Sequence, residues 1–249
     1  MASITGTPVT NTPATTTRMI DLFRLLTWLS PAYPVGGFSY SHGLEMAVEE
    51  GAVTSRATLQ SYIETVLLAG AGRVEAALLV AAYRATDARA QVVAPRACDD
   101  LDEVVEIAQA WRSTAETALE ATQQGGSFAS ITVATWPEPR FAALAARHAG
   151  RLTHAVAFGA AAACHGIALR PALVGWLSGF AANLVSAGVR LVPLGQTDGQ
   201  RVTAALFPTI EAAADAAEAA DIDTLGTAAP MLDQFSLRHE TQYTRLFRS

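Results

Sequence analysis

Apolar residues recur at intervals of three and four along most of this chain and rarely alternate. Leu22, Leu25, Leu26 and Leu29 form one stripe; Leu59, Tyr62, Ile63, Val66 and Leu67 form another. That spacing turns one face of a 3.6-residue helix towards a core. Ser55 stands where an N-cap belongs, and Gly70 and Gly72 follow where the second stripe ends. Between the two, Tyr40, Leu44, Ala47, Val48 and Gly51 predict a helix that turns Glu45, Glu49 and Glu50 outward. Residues 73–86, rich in Ala, Leu and Val, predict a helix buried on more than one side. From Asp99 a long pattern reaches Leu119, with Val104, Val105, Ala108, Trp111 and Ala115 inward. Gln123 to Phe128, with its paired glycines, reads as the break after it. The β-branched run Ile131–Trp136 has no second strand to pair with, so it reads as a helix end or a turn. Helices over 140–149, 152–166 and 171–189 follow, then an Ala-rich one to about Ala220, kinked near Pro208. The pattern predicts an all-α, single-domain bundle of about ten helices over 20–249. Residues 1–19, Thr-rich with Pro8 and Pro13, read as a disordered tail.

Within 171–189, Gly175, Gly179, Asn183 and Ala187 recur every four residues, a row of mostly small side chains that admits a close neighbour. The same row could serve a membrane dimer, but Asn183 and Ser186 interrupt it and Arg190 ends it. No charge-free apolar run with membrane-type flanks stands out.

Three segments punctuate the helices. In S-P-A-Y-P-V-G-G-F-S-Y-S-H-G-L-E (Ser30–Glu45), Pro31 and Pro34 end the preceding helix, and Gly36 and Gly37 free the backbone. Apolar and aromatic residues in such a turn fit either a buried connector or a binding surface. L-V-P-L-G-Q-T-D-G-Q (Leu191–Gln200) is the second. S-L-R-H-E-T-Q-Y-T-R-L-F-R-S, the third, is basic, aromatic and too short to pack alone.

Composition narrows the function. Charged residues are only 16% of the 249, against 51% hydrophobic, so polar surface is scarce and a large interface is expected. A net charge of −6 without a basic cluster argues against nucleic acid. All 17 basic residues are arginine, so there is neither a Walker A loop nor a Schiff-base lysine. Cys98 and Cys164 fit no C-x-x-C spacing and suit a reducing compartment, and no signal peptide is evident, so a cytoplasmic location is expected.

Candidate chemistry is sparse. His148, His154 and His165 are too far apart to share one ion; the last two stand about 16 Å apart along a continuous helix. His42, Glu45 and Glu49 share a helix face, which a solvated polar face explains as well as a weak metal site. No G-x-S-x-G elbow and no paired carboxylates point to catalysis. Arg190, Arg238, Arg245 and Arg248 could act on a partner's phosphoryl transfer or serve as plain ion-pairing residues.

The Ser30–Glu45 string, R-L-V-P-L-G-Q-T-D-G-Q and the closing R-H-E-T-Q-Y-T-R-L-F-R-S together resemble, in the right order, the UreF family of urease accessory proteins. The resemblance spans 20–249 and is weakest around Gln123–Phe128. It implies an all-helical homodimer with no catalysis and no bound cofactor of its own. Such a protein bridges UreD (also called UreH) and the GTPase UreG while nickel enters apo-urease, and modulates that GTPase; nickel and GTP belong to the complex. The resemblance assigns partner contacts to Pro34, Gly36, Gly37, Phe38, Ser39, Tyr40, Glu45, Arg190, Gly195 and Gln196. It likewise assigns them to Arg238, His239, Gln242, Tyr243, Arg245 and Phe247, within a docking tail (234–249) that orders on UreD. The alternative is a helical enzyme with a cleft near Ser39, His42 and Glu45.

Overall fold

The computed structural model describes residues 18–87 and 100–249, and among them every regular element is a helix. α1 (Met19–Trp28), α2 (Leu44–Glu49), α3 (Arg56–Leu68) and α4 (Ala71–Thr86) form the first half. α5 (Leu101–Ala110), α6 (Ala115–Thr135), α7 (Pro139–Arg147) and α8 (His154–Cys164) follow. α9 (Leu169–Leu191), α10 (Gln196–Ala205), α11 (Phe207–Ala219) and α12 (Pro230–His239) close the chain, with short 3₁₀ turns at Gly37–Ser39 and Ile222–Thr224. The all-α bundle expected from the pattern is what the chain forms. The expected tail boundary shifts slightly: Arg18 is bonded to Asp21 at 2.7 and 2.8 Å, and α1 begins at Met19. The remainder of that segment and Cys98 lie outside the described residues.

Local sequence accounts for the starts. Ser55 and Thr114 each cap a helix through a reciprocal box with Thr58 and Thr117. Glu138 accepts the Phe141 amide ahead of α7, whose first residue is Pro139. α8, nearly all Ala, Val and Phe, is buried on every side and packs against α4 and α6. Close packing there depends on missing side chains: a Cβ on Gly159 would lie 2.4 Å from the Leu79 oxygen. Trp28 of α1 closes the core, its ring edge-on to Phe128, Phe158 and Trp136.

Several expectations are corrected. Gln123–Phe128 is no break but the middle of α6, because Gly125 lets the Leu152–Thr153 backbone cross it; a Cβ would lie 2.1 Å from the Leu152 oxygen. The break falls earlier, at 111–114, where Thr114 caps the new helix; Trp111 is 40% exposed and Ala115 exposed, rather than inward. After Pro193 the helix resumes at Gln196, so Asp198 and Gln200 are helical; Asp198 pairs with Arg56 and Arg201. Two helical stretches, 56–86 and 169–191, are long and apolar enough to cross a membrane, where the sequence reading expected none. Inside the molecule 67% and 50% of their apolar windows are buried. The small-residue row of α9 seats α1 and its turn: Gly175 and Gly179 face Leu29, and Asn183 faces Gly37.

Candidate interaction site

The Ser30–Glu45 turn lies on that α9 row, and the C-terminal segment lies against the turn. Gly36 (φ 75°) turns the chain into the 3₁₀ turn. Gly37 packs against Asn183, whose Nδ2 would lie 2.8 Å from a Cβ and would have to shift to admit one. Tyr33 and Tyr40 point inward to Thr132 and Gln123 of α6, both at 2.8 Å. Burial raises the pKa of the Tyr40 phenol. His42 (φ 53°) and Gly43 (φ 75°) are both left-handed, and Gly43 lets the Ser236 backbone come within 2.8 Å of where a Cβ would be. Tyr62 steadies the bend by donating to the His42 carbonyl at 2.8 Å.

The C-terminal segment is held by main-chain bonds. The Arg248 amide donates to the Ser39 carbonyl at 2.8 Å, and the Ser41 amide donates to the Ser249 oxygen at 2.6 Å. Glu45 accepts the amides of Leu246 (2.7 Å) and Phe247 (3.0 Å), with His239 Nε2 at 3.1 Å. His239 Nδ1 lies 2.7 Å from Glu116, which also binds Arg245. Arg190, at the end of α9, joins the three segments: it donates to the Phe38 carbonyl at 3.0 Å and lies 4.4 Å over the Phe247 ring.

Burial sorts the residues singled out by sequence. Pro34, Phe38 (67% exposed), Arg190, Arg238 and Tyr243 face outward; Gly36, Ser39 and Gln242 are half-buried. Gly37, Tyr40, Glu45 (6%), His239 (0%) and Phe247 (4%) face inward. Arg238 pairs with Glu50 at 3.2 Å. Gly195 and Gln196 are exposed at the start of α10, and no hydrogen bond joins them to the turn or the segment. One expectation falls here. Glu45 is not on a solvated face with His42 and Glu49, because the segment covers it and supplies two amides. Phe247 and Ser249 of that segment are buried.

Sequence reasoning missed Glu116, Glu120, Ser41, Ser249 and Leu246. Glu116, Glu120 and Gln124 recur every four residues on α6, a signal hidden by reading Gln123–Phe128 as a break. Glu120, buried, has His42 Nε2 at 3.0 Å and accepts from Ser249 Oγ and Gln124 Nε2 at 2.9 Å. Burial works against charge on His42, but Glu120 outweighs it and the imidazole pKa is raised.

A cavity of about 320 Å³ opens between α4, α6 and α12, with His42, Glu75, Arg112, Glu120 and Trp176 in its wall. A second, of about 150 Å³, shares His42, Glu120 and Trp176 and reaches Phe38. Neither includes Ser39 or Glu45, so the three residues of the enzyme alternative do not converge. His154 accepts from Trp176 Nε1 at 3.3 Å, and its burial pushes its pKa down to about 4. His148 faces Asp102, and His165 lies edge-on to Trp28. Among the described residues no group of three or more His, Cys, Asp or Glu is arranged for a metal ion.

A family model for UreF matches residues 53–207. The chain is 54% identical over 237 residues to "Urease accessory protein UreF" of Granulibacter bethesdensis, covering 95% of this chain and 98% of that one. The protein of the same name from Methylorubrum populi is 47% identical over 233 residues, covering 93% and 100%. The one from Bradyrhizobium diazoefficiens is 44% identical over 249 residues and spans both chains entirely, turn and C-terminal segment included.

Proposed function

Because this chain belongs to the UreF family of urease accessory proteins, we propose that it is a cytoplasmic, non-catalytic adaptor in urease maturation. It bridges UreD and the GTPase UreG, so that GTP-dependent nickel delivery reaches apo-urease, and it modulates the GTPase. Nickel and GTP are cargo and fuel of the complex, not groups resident in this chain.

The observation that carries this reading is one surface assembled from three distant segments. Inward anchors (Tyr40, Glu45, His239, Phe247) hold the turn and the C-terminal segment in place, leaving Phe38 on one and Tyr243 and Leu246 on the other open to solvent. An exposed aromatic held by a rigid frame is the usual anchor of a protein interface. UreG meets the turn side, with Pro34, Phe38 and Arg190. UreD meets the outward face of 238–249, the docking tail that the sequence resemblance assigns to it.

Homodimer formation is supported by α1, where Met19, Leu22, Phe23 and Leu26 leave an i, i+3, i+4, i+7 apolar stripe 43–79% exposed. A second copy covers it.

The two faces are tested separately by pull-down. Tyr243→Asp with Leu246→Asp should lose UreD, and Phe38→Asp should keep UreD while losing UreG. Retention of both partners by both variants would refute the assignment.

A further inference from the structure

The cavity of about 320 Å³ between α4, α6 and α12 is large enough to hold a small molecule, since ligand clefts run from about 300 to about 1,000 Å³. Trp111, Ser113 and Thr227 in its wall are exposed, while Glu75, Glu120 and Trp176 are buried, so it leads from solvent into the body. None of the residues assigned to a partner lines it, so binding inside it and docking outside can fail separately.

Its wall carries an excess of negative charge. The ionisable side chains there are Glu75, Glu120, Asp233, Arg112, His42 and His154. Arg112 binds Glu75, and His42 lies 3.0 Å from Glu120. His154 accepts from Trp176 Nε1 and stays neutral, its pKa pushed down to about 4 by burial. Asp233 is half-buried in the first turn of α12, and among the described residues its carboxylate makes no hydrogen bond and no ion pair. Carboxylates therefore outnumber cations in the wall whether His42 is protonated or not. A half-buried anion is less screened than one in water and gains more from a cation brought beside it.

The other part of the wall is aromatic. Trp176 and Phe180 stack with their centroids 5.4 Å and their planes 12° apart, and His42 stands edge-on to Phe180 at 4.8 Å. The faces of such rings carry partial negative charge, so they attract a flat apolar body and a cation alike. An inorganic ion would leave this aromatic part unused, and an organic acid would meet the surplus carboxylate. We propose that the cavity binds a small arylalkylamine, its ring along Trp176 and Phe180 and its ammonium group paired with Asp233.

Ligand-observed NMR titration of the full chain tests this with three probes of similar shape: tryptamine, the uncharged 3-ethylindole and the anionic indole-3-propionate. At about pH 7 the tryptamine amine is charged. Tryptamine should bind with a Kd of about 1 mM or tighter. 3-Ethylindole should bind about threefold or more weakly, and indole-3-propionate weakest of all. Asp233→Asn, which removes a charge that holds nothing else, should abolish the preference for tryptamine over 3-ethylindole. Phe180→Leu should weaken tryptamine by about threefold or more. No uptake of tryptamine up to about 10 mM would mean a cavity that holds water alone, and would overturn the inference. Equal binding of the three probes, or a tryptamine affinity unchanged in both variants, would overturn it as well.

Discussion

The Glu45 carboxylate accepts the Phe247 amide at 3.0 Å across 202 positions of sequence. This contact fixes a helix at the start of the chain to its last residues, and it shows that a glutamate in the most distinctive sequence motif acts inside the molecule. Hydrogen bonds to a buried charge contribute about 1.5–3 kcal/mol each, and losing one partner leaves the others unsatisfied. Glu45→Ala should therefore lower stability by about 3 kcal/mol in urea unfolding and expose 240–249 to protease. A variant as stable as the parent would contradict the anchoring role.

Gly125 and Gly126 are neighbours with opposite expectations. Gly125→Ala puts a Cβ into the Leu152–Thr153 backbone and should destabilise by about 2 kcal/mol or more. Gly126 is exposed with nothing within 4 Å of its would-be Cβ, so Gly126→Ala should stabilise α6 by about 0.5–1 kcal/mol. Melting temperatures moving in opposite directions would bear out the continuous helix; equal shifts would not.

Leu26→Arg places a charge on the exposed stripe of α1. Stability should change by less than about 0.5 kcal/mol, as for other surface positions, while the proposed dimer dissociates. Sedimentation velocity reads the result, and an unchanged dimer would move the interface elsewhere.

His154 sets an acid limit. Its pKa falls from 6.5 unfolded to about 4 folded through burial, so the unfolded state binds the extra proton between those values. Stability should be lost as pH falls through that window, by up to about 3 kcal/mol. His154→Phe should flatten the acid limb of the unfolding free energy measured against pH, if the pocket beside Phe128 and Trp176 accepts the ring.

Much of this was legible in advance. Stripes such as Leu59–Leu67 gave the helices, because burying one face is a local property of sequence. What hid was tertiary. A glycine pair reads as a helix break, yet Gly125 is there so that another backbone can cross, and nothing local says which. Glu45 reads as solvated because its partners arrive from 200 residues away. The turn, Arg190 and the closing segment could each be singled out, but only packing shows that Arg190 stands between Phe38 and Phe247 while Gly195 and Gln196 stand apart.

Light scattering on a sizing column, on this chain alone, then with UreD, then with UreG and GTP plus nickel, tests the adaptor reading most directly. A dimer that takes up UreD and then UreG is expected, with UreD lost when the chain stops before Arg238. A monomer that ignores both partners would contradict it.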